Sequence, residues 1–325
     1  MAKEIREIIA FHEQLAALSK NKPENKDAIS RLQGIRNIVD AAEKRGDLLP
    51  QLPENSGVAL PSVEQASQAV ILDSLRASQL VEREHKALKG FFGKEIPVIT
   101  PPAILFETQK IAEGEGFRLE PIYFPTVELK QGDRYKGWRV KPVQWFYDQI
   151  KAGRISPDAI RLGGFWALFD KSIRQNYDNG RQLFEDDGLA PILKAARLDG
   201  KIEVPEYLTH VPETSRFGTS PDEQDRVIFP QMAKIIRLVE RVEEGSAWIR
   251  RPTESEFNFA GNLRYPHLGQ ANTWEWLNDE FEDDDRLVGG HSDGGGLADV
   301  HCGWSGNRSG FVAFRSLLGF SPKAR

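Results

Sequence analysis

Residues 251–276 read RPTESEFNFAGNLRYPHLGQANTWEW, and the two ends of this stretch commit the backbone to different geometries. Pro252 and Thr253 fit a helix start, with Glu254 and Glu256 near the positive end of the helix dipole. At the other end Trp274 and Trp276 alternate, so both face one side of a strand and are expected to form a large core contact, while Glu275 points the other way. Further on, Gly289-Gly290 lets the backbone turn where a side chain would clash. Arg315, between Phe314 and Leu317-Leu318, is expected to be a partly buried guanidinium paired with a carboxylate such as Glu275.

The tail that follows, residues 286–322, reads RLVGGHSDGGGLADVHCGWSGNRSGFVAFRSLLGFSP. Between Leu287 and Pro322 it contains no Lys, Glu, Gln, Met, Ile, Thr or Tyr, although Lys and Glu abound elsewhere. A segment that changes its alphabet between two apolar anchors reads as loop surface held on a rigid frame.

Outward from these segments, the 325 residues, 40% hydrophobic and 28% charged, suit one large or two modest domains with a sizeable core. The net charge of −5 gives no broad attraction to nucleic acid or an anionic membrane surface. Cys302 is the single cysteine, so an intramolecular disulfide and a multi-cysteine zinc site are excluded. The N-terminus alternates charged with apolar residues, unlike a signal peptide, and no apolar run reaches a membrane-spanning length. The expected location is cytoplasmic by default, or virion-associated or released if the source is viral.

Amphipathic periodicity predicts helices over residues 3–20, 26–45 and 62 to about 88. Ser62 and Gln65 carry capping-box spacing for the third, and Gly90 is its expected stop. Residues 48–61 are a proline-rich connection. The spacing then predicts an apolar, β-rich run over 96–106 and an edge strand or hairpin arm over 118–129. Short helices are expected at 143–152, from Ser156-Pro157, and over 166–181 and 190–197. Residues 205–221 read as loop, and a longer amphipathic helix is expected over 227–242. From Trp248 onward the pieces are short and aromatic, suggesting β-and-loop structure.

Four motifs in order, RPTESEF at 251–257, NTWEW at 272–276, RLVGG at 286–290 and Phe314-Arg315, together resemble the formylglycine-generating-enzyme type of C-type lectin fold. The resemblance covers residues 227–320. It implies an α+β, C-type-lectin-like domain over 93–325, preceded by a helical segment over 1–92. The tail is also similar to the variable region of proteins diversified by retroelements, which use this scaffold. Its frame residues are matched here by Gly289, Gly290, Ser292, Gly295, Gly296, Leu297, Ala298, Val300, Ser305, Arg308, Val312, Phe314, Arg315, Leu317 and Leu318. The sequence departs from the frame at Ala313, where glycine is usual.

In that family, template adenines are mutated, mostly in AAY codons, which never yield Lys, Glu, Gln, Met or Trp. The interleaved residues obey the restriction: Val288, His291, Asp293, Gly294, Asp299, His301, Cys302, Gly303, Gly306, Asn307, Ser309, Gly310 and Phe311. Trp304 cannot arise this way and reads as frame or as a differently templated position, although it belongs to the same surface. The resemblance thus implies a non-catalytic protein whose variable surface, about 288–313, binds protein or glycan ligands on another cell or particle. Trp274, Trp276, Gly289, Gly290, Gly295, Gly296, Arg308, Phe314 and Arg315 would be its scaffold.

The alternatives are an oxidase of the formylglycine-generating class with a lost or relocated site, and a structural assembly protein using the same fold. Founding members of that oxidase class place a cysteine of a pair just after the glycine-rich strand. Here His291-Ser292-Asp293-Gly294 stands there, and Cys302 has no second thiol. His291, Asp293, Asp299, His301 and Cys302 invite a metal reading, but adjacent His301 and Cys302 would point to opposite sides of an extended chain. The acidic run 282–285 reads as a solvated loop more readily than a calcium site. No cofactor is expected, and the N-terminal helices are a candidate oligomerisation module.

Overall fold

The computed structural model describes residues 63–238, 246–282 and 284–321. The chain divides into two compact units, Met1–Ser74 and Leu75–Arg325, and the account below concerns the second. The expected helices over 3–20 and 26–45, the connection at 48–61 and the Ser62 cap lie outside the described residues.

The second unit is a mixed α+β structure with two four-stranded sheets. In chain order its elements are the part of α1 (Val63–Phe92) from Leu75 onward, α2 (Ala103–Gly114), β1 (Leu119–Glu128), α3 (Gln144–Lys151), β2 (Arg161–Asp170) and α4 (Ala190–Leu198). Then come α5 (Phe229–Ile235), β3 (Ala247–Arg250), α6 (Glu254–Leu263), β4 (Trp274–Phe281), β5 (Asp285–Gly289), β6 (Val300–Trp304), β7 (Val312–Phe314) and β8 (Leu317–Phe320). Among the described residues no helix is long and apolar enough to cross a membrane.

The first sheet runs β1-β2-β8-β3, antiparallel throughout. β1 carries Pro121 and Pro125, and it is tolerated as an edge strand because an edge needs no hydrogen-bond donors on its outer side. The register skips Pro125 and its neighbour Gly164, where the β2 backbone takes φ +73°. β2 is the part of 161–170 that sequence periodicity reads as the start of a helix over 166–181. The structure corrects this: Gly164–Phe169 is apolar and buried on both faces because β2 lies between two strands, and a short buried strand has no period to distinguish it from a buried helix.

Other boundaries also move. The run at 96–106 is no strand: it is extended to Pro102 and then enters α2. Helix α1 passes through Gly90 and ends at Gly93, whose positive φ and N–H bond to the Lys89 carbonyl close it. Its last turns bury Glu84, Leu88, Phe91 and Phe92. α5 continues from a helical start at Pro221 through a π-helical turn, Gln224–Ile228, so that helix begins ahead of Val227; residues 239–242 lie outside the described residues. The strand at 118–129 and the helices at 143–152 and 190–197 form close to their expected bounds. Ser156 caps a 3-10 turn, Pro157–Ile160.

The second sheet runs β6-β5-β4-β7 and carries the tail. β4–β5 and β5–β6 pair antiparallel, whereas β7 joins β4 in parallel. Helix α6 packs against β2 of one sheet and β4 of the other, and residues 254–261 are all buried. Its start is as the sequence predicts. Thr253 accepts the Glu256 N–H at 3.3 Å, the Glu256 carboxylate accepts the Thr253 N–H at 2.8 Å, and the two complete a capping box. Because β1 and β2 share a sheet with β8, residues 119–170 belong to the same core as the tail.

Candidate functional site: an aromatic and histidine surface on a charged frame

Strand pairing sets the tail's two faces. Trp276, Val288 and His301 are cross-strand neighbours on β4, β5 and β6, and so share one face. Glu275 faces the other way, where the Arg315 guanidinium meets it from Nε to Oε2 at 2.9 Å and from Nη2 to Oε1 at 2.7 Å. Arg174 Nη1 stands 3.2 Å from the same carboxylate. Burial alone would raise the Glu275 pKa, but Arg315 and Arg174 outweigh it and hold the carboxyl below its usual range. Beside this group, Arg216 spans the carboxylates of Asp170 and Asp187, again fully buried. These pairs fix β7 and β8 at the end of the tail. The predicted Arg315–Glu275 pair is therefore present, and it is more deeply buried than expected.

The glycines of the frame are packed. Gly290 takes φ +84°, and a Cβ there would come within 2.8 Å of the Phe257 ring. Gly296, at φ +64°, would place a Cβ 2.7 Å from the Gly269 carbonyl. Arg308 is held by its Nε to Glu223 at 3.0 Å and by Nη2 to Glu203 at 3.2 Å. Ala313, at the departure from the frame, is fully buried with Phe184, Leu208, Val211 and Phe217, so its methyl fills an apolar cluster.

On the exposed side, a chain of rings crosses the tail. The Trp145 ring lies 5.5 Å from Phe281 and 6.0 Å from His301. Trp274 stands 5.4 Å from His301 edge-on and 4.9 Å from His291 in a stack. His291 then meets Phe311 at 5.5 Å, and Phe311 meets Tyr177 at 4.8 Å. Such contacts give rigid area without long flexible side chains. Asp293, Gly294 and Asn307 are exposed around the strip, and Cys302, Gly303, Gly306, Ser309 and Gly310 are half-buried. Trp304 is 61% exposed.

Several residues expected on the variable surface are closely packed. A Cβ on Gly294 would run into the Asp299 carboxylate, and one on Gly306 would come within 2.5 Å of the Trp304 ring. Val288 is 7% exposed on a strand interior to the second sheet, and Asp299 is 4% exposed with its carboxylate against Gly294. Burial pushes the Asp299 carboxyl above its usual range. Gly303 faces the buried Trp276 ring, and a Cβ there would come within 3.2 Å of it. Trp274 also departs from expectation. It shares a side with the buried Trp276 but lies half-exposed at the centre of the ring strip, so it is a platform as much as a scaffold. Tyr177 and Trp145, from outside the tail, were missed; only an isolated aromatic on an amphipathic helix or loop marked them.

Beneath the strip, Glu254 is completely buried, and neither of its carboxyl oxygens has a hydrogen-bond partner. Burial, with Asp279 and Asp299 nearby, pushes its pKa well above the usual range. Asp279 accepts the Glu254 N–H at 2.6 Å, and burial raises its pKa to about 7. Among the described residues no group of three or more His, Cys, Asp or Glu side chains is placed to hold a metal ion. Burial pushes the Cys302 thiol up, and Asp285 and Glu282 reinforce the shift, so it is a poor nucleophile at neutral pH. Of the acidic run, Glu282, at φ +45°, follows β4, and Asp285 opens β5.

Compared with known proteins, the chain matches no family model, no curated protein and no solved structure.

Proposed function

We propose that this chain is a non-catalytic ligand-binding protein whose C-terminal surface is diversified by a retroelement, built on a C-type-lectin-like scaffold of the formylglycine-generating-enzyme type. The observation that carries the reading is the division of labour in the tail. His291, His301 and Phe311 lie on one continuous surface strip, while Gly290, Gly296, Arg308, Phe314 and Arg315 are locked into packed or ion-paired positions. Interchangeable contacts carried on a fixed charged and apolar frame are what a surface of many ligands needs.

The scaffold assignment is supported by the order of the four motifs and by the tail's course from the second sheet into the interior strand of the first. The ligands are proteins or glycans on another cell or particle. The oxidase alternative gains no support from a lone thiol whose ionisation is disfavoured.

Sequencing the DNA beside the gene tests the reading. The expected result is a near-copy of the tail's coding bases, differing at template adenines, next to a reverse transcriptase gene. If neither the copy nor the reverse transcriptase is found, the reading falls.

A further inference from the structure

We propose that the cleft beside Trp304 binds a saccharide. The inference rests on the ligand-binding reading above and narrows its ligand to a glycan. The cleft has a volume of about 390 Å3, near the lower end of the roughly 300–1,000 Å3 typical of small-molecule sites. One wall is the tail at Trp304, Gly306 and Arg308, and the other comes from residues 200–227, outside the tail.

The tail wall presents an aromatic plane. The Trp304 carbonyl accepts the Asn307 N–H at 2.9 Å and closes a turn. The indole lies over Gly306 in this turn, where a Cβ would come within 2.5 Å of the ring. The ring thus has a backbone seat on one side while remaining 61% exposed.

The opposite wall supplies hydrogen bonding of both kinds. Among the described residues, Arg226 and Asp222 make no side-chain hydrogen bond or ion pair. Both line the cleft, so it offers a donor fork and an acceptor carboxylate. Lys201, Arg226 and Arg308 are balanced by Glu203, Asp222 and Glu223 around the cleft. A balanced wall selects neither a phosphate nor a cationic ligand. Val227 and Trp304 are the only apolar side chains among the described residues lining it, leaving no apolar pocket for the anchor of a protein partner.

The molecule that satisfies this wall is neutral, has a C–H face to lie on the electron-rich indole, and has hydroxyls that both donate and accept. A pyranose ring has all three properties. Of the tail wall only Gly306 is among the diversified positions, so Trp304 and Arg308 stay constant together with Asp222 and Arg226.

The test is to apply the full chain to an array of bacterial-surface and eukaryotic glycans, then titrate the best-retained oligosaccharide by calorimetry. The expected result is retention of at least one glycan class. Trp304→Ala should weaken its binding at least tenfold, and Asp222→Asn and Arg226→Gln should each weaken it measurably, with melting temperatures unchanged. A blank array, or Trp304→Ala binding as tightly as the parent, overturns the saccharide assignment. If the array is blank while the template copy is present beside the gene, the proposed function stands with a protein ligand. If the copy is absent while a glycan is retained through Trp304, the saccharide site stands and the retroelement reading falls.

Discussion

Arg315 and Glu275 form a bidentate ion pair, Nε to Oε2 at 2.9 Å and Nη2 to Oε1 at 2.7 Å, with neither side chain more than 1% exposed. The pair ties β4 of one sheet to the residue that leads from β7 into β8 of the other. Arg174 shares the carboxylate, and burial lowers its own pKa to about 10. Glu275→Gln leaves two guanidiniums facing each other without a counter-charge. The expected loss is about 3–5 kcal/mol of unfolding free energy, as for other broken buried pairs. Urea unfolding of the variant measures it, and a loss under about 1 kcal/mol would mean that the pair does not hold the frame.

A tolerant surface on a fixed frame predicts a sharp split among neighbouring positions. Replacing His291, His301 and Phe311 together by alanine removes only surface ring contacts and should cost less than about 2 kcal/mol in total. Val288→Asp, one strand position from His291's turn, forces an unpaired carboxylate into a packed interface and should cost more than about 3 kcal/mol. Thermal unfolding of the two variants side by side distinguishes them. Equal melting temperatures would remove the distinction between surface and frame.

Stability should fall as pH rises through neutrality. Asp279 has its folded pKa raised to about 7, and Glu254 is raised well above its usual range. A carboxyl with a raised folded pKa favours the folded state fully below its unfolded pKa, and that contribution is lost as pH climbs through the folded value. For Asp279 the window runs from about 4 to 7. The depressed Asp170 and Glu275 act oppositely, losing their contribution only at low pH. Asp279→Asn combined with Glu254→Gln should flatten the urea midpoint between about pH 5 and 8. An unchanged slope in the double variant would assign the titration to other groups.

The cap of α6 is separable from its packing. Thr253→Ala removes the side-chain acceptor for the Glu256 N–H and should cost about 1 kcal/mol, whereas Thr253→Ser should be nearly neutral. Arg250 holds Glu256 independently with two contacts of 2.6 Å, so the carboxylate stays in place in both variants. Guanidinium unfolding that ranks serine with alanine would show that the Thr253 methyl, rather than its hydroxyl, matters.

Features fixed by local chemistry were legible in the sequence. The start of α6 is written in Thr253 and its two acids, and the opposite faces of Glu275 and Trp276 follow from strand alternation. The Arg315 pair was legible because a guanidinium among leucines needs a counter-charge. Features fixed by tertiary neighbours were not. β2 looked helical because only its position between β1 and β8 explains an unbroken apolar run. Val288 and Asp299 looked variable because their residue types fit the restricted alphabet, while their burial depends on tertiary packing. Trp145 and Tyr177 join the surface across long sequence separations, and no local pattern announces such meetings.

β8 lies inside its sheet, between β2 and β3, and comes after residues 288–313. Any premature stop or frameshift arising in the tail therefore deletes an interior strand and exposes the edges of both neighbours. A chain cut anywhere ahead of Leu317 thus lacks the strand that joins β1 and β2 to β3.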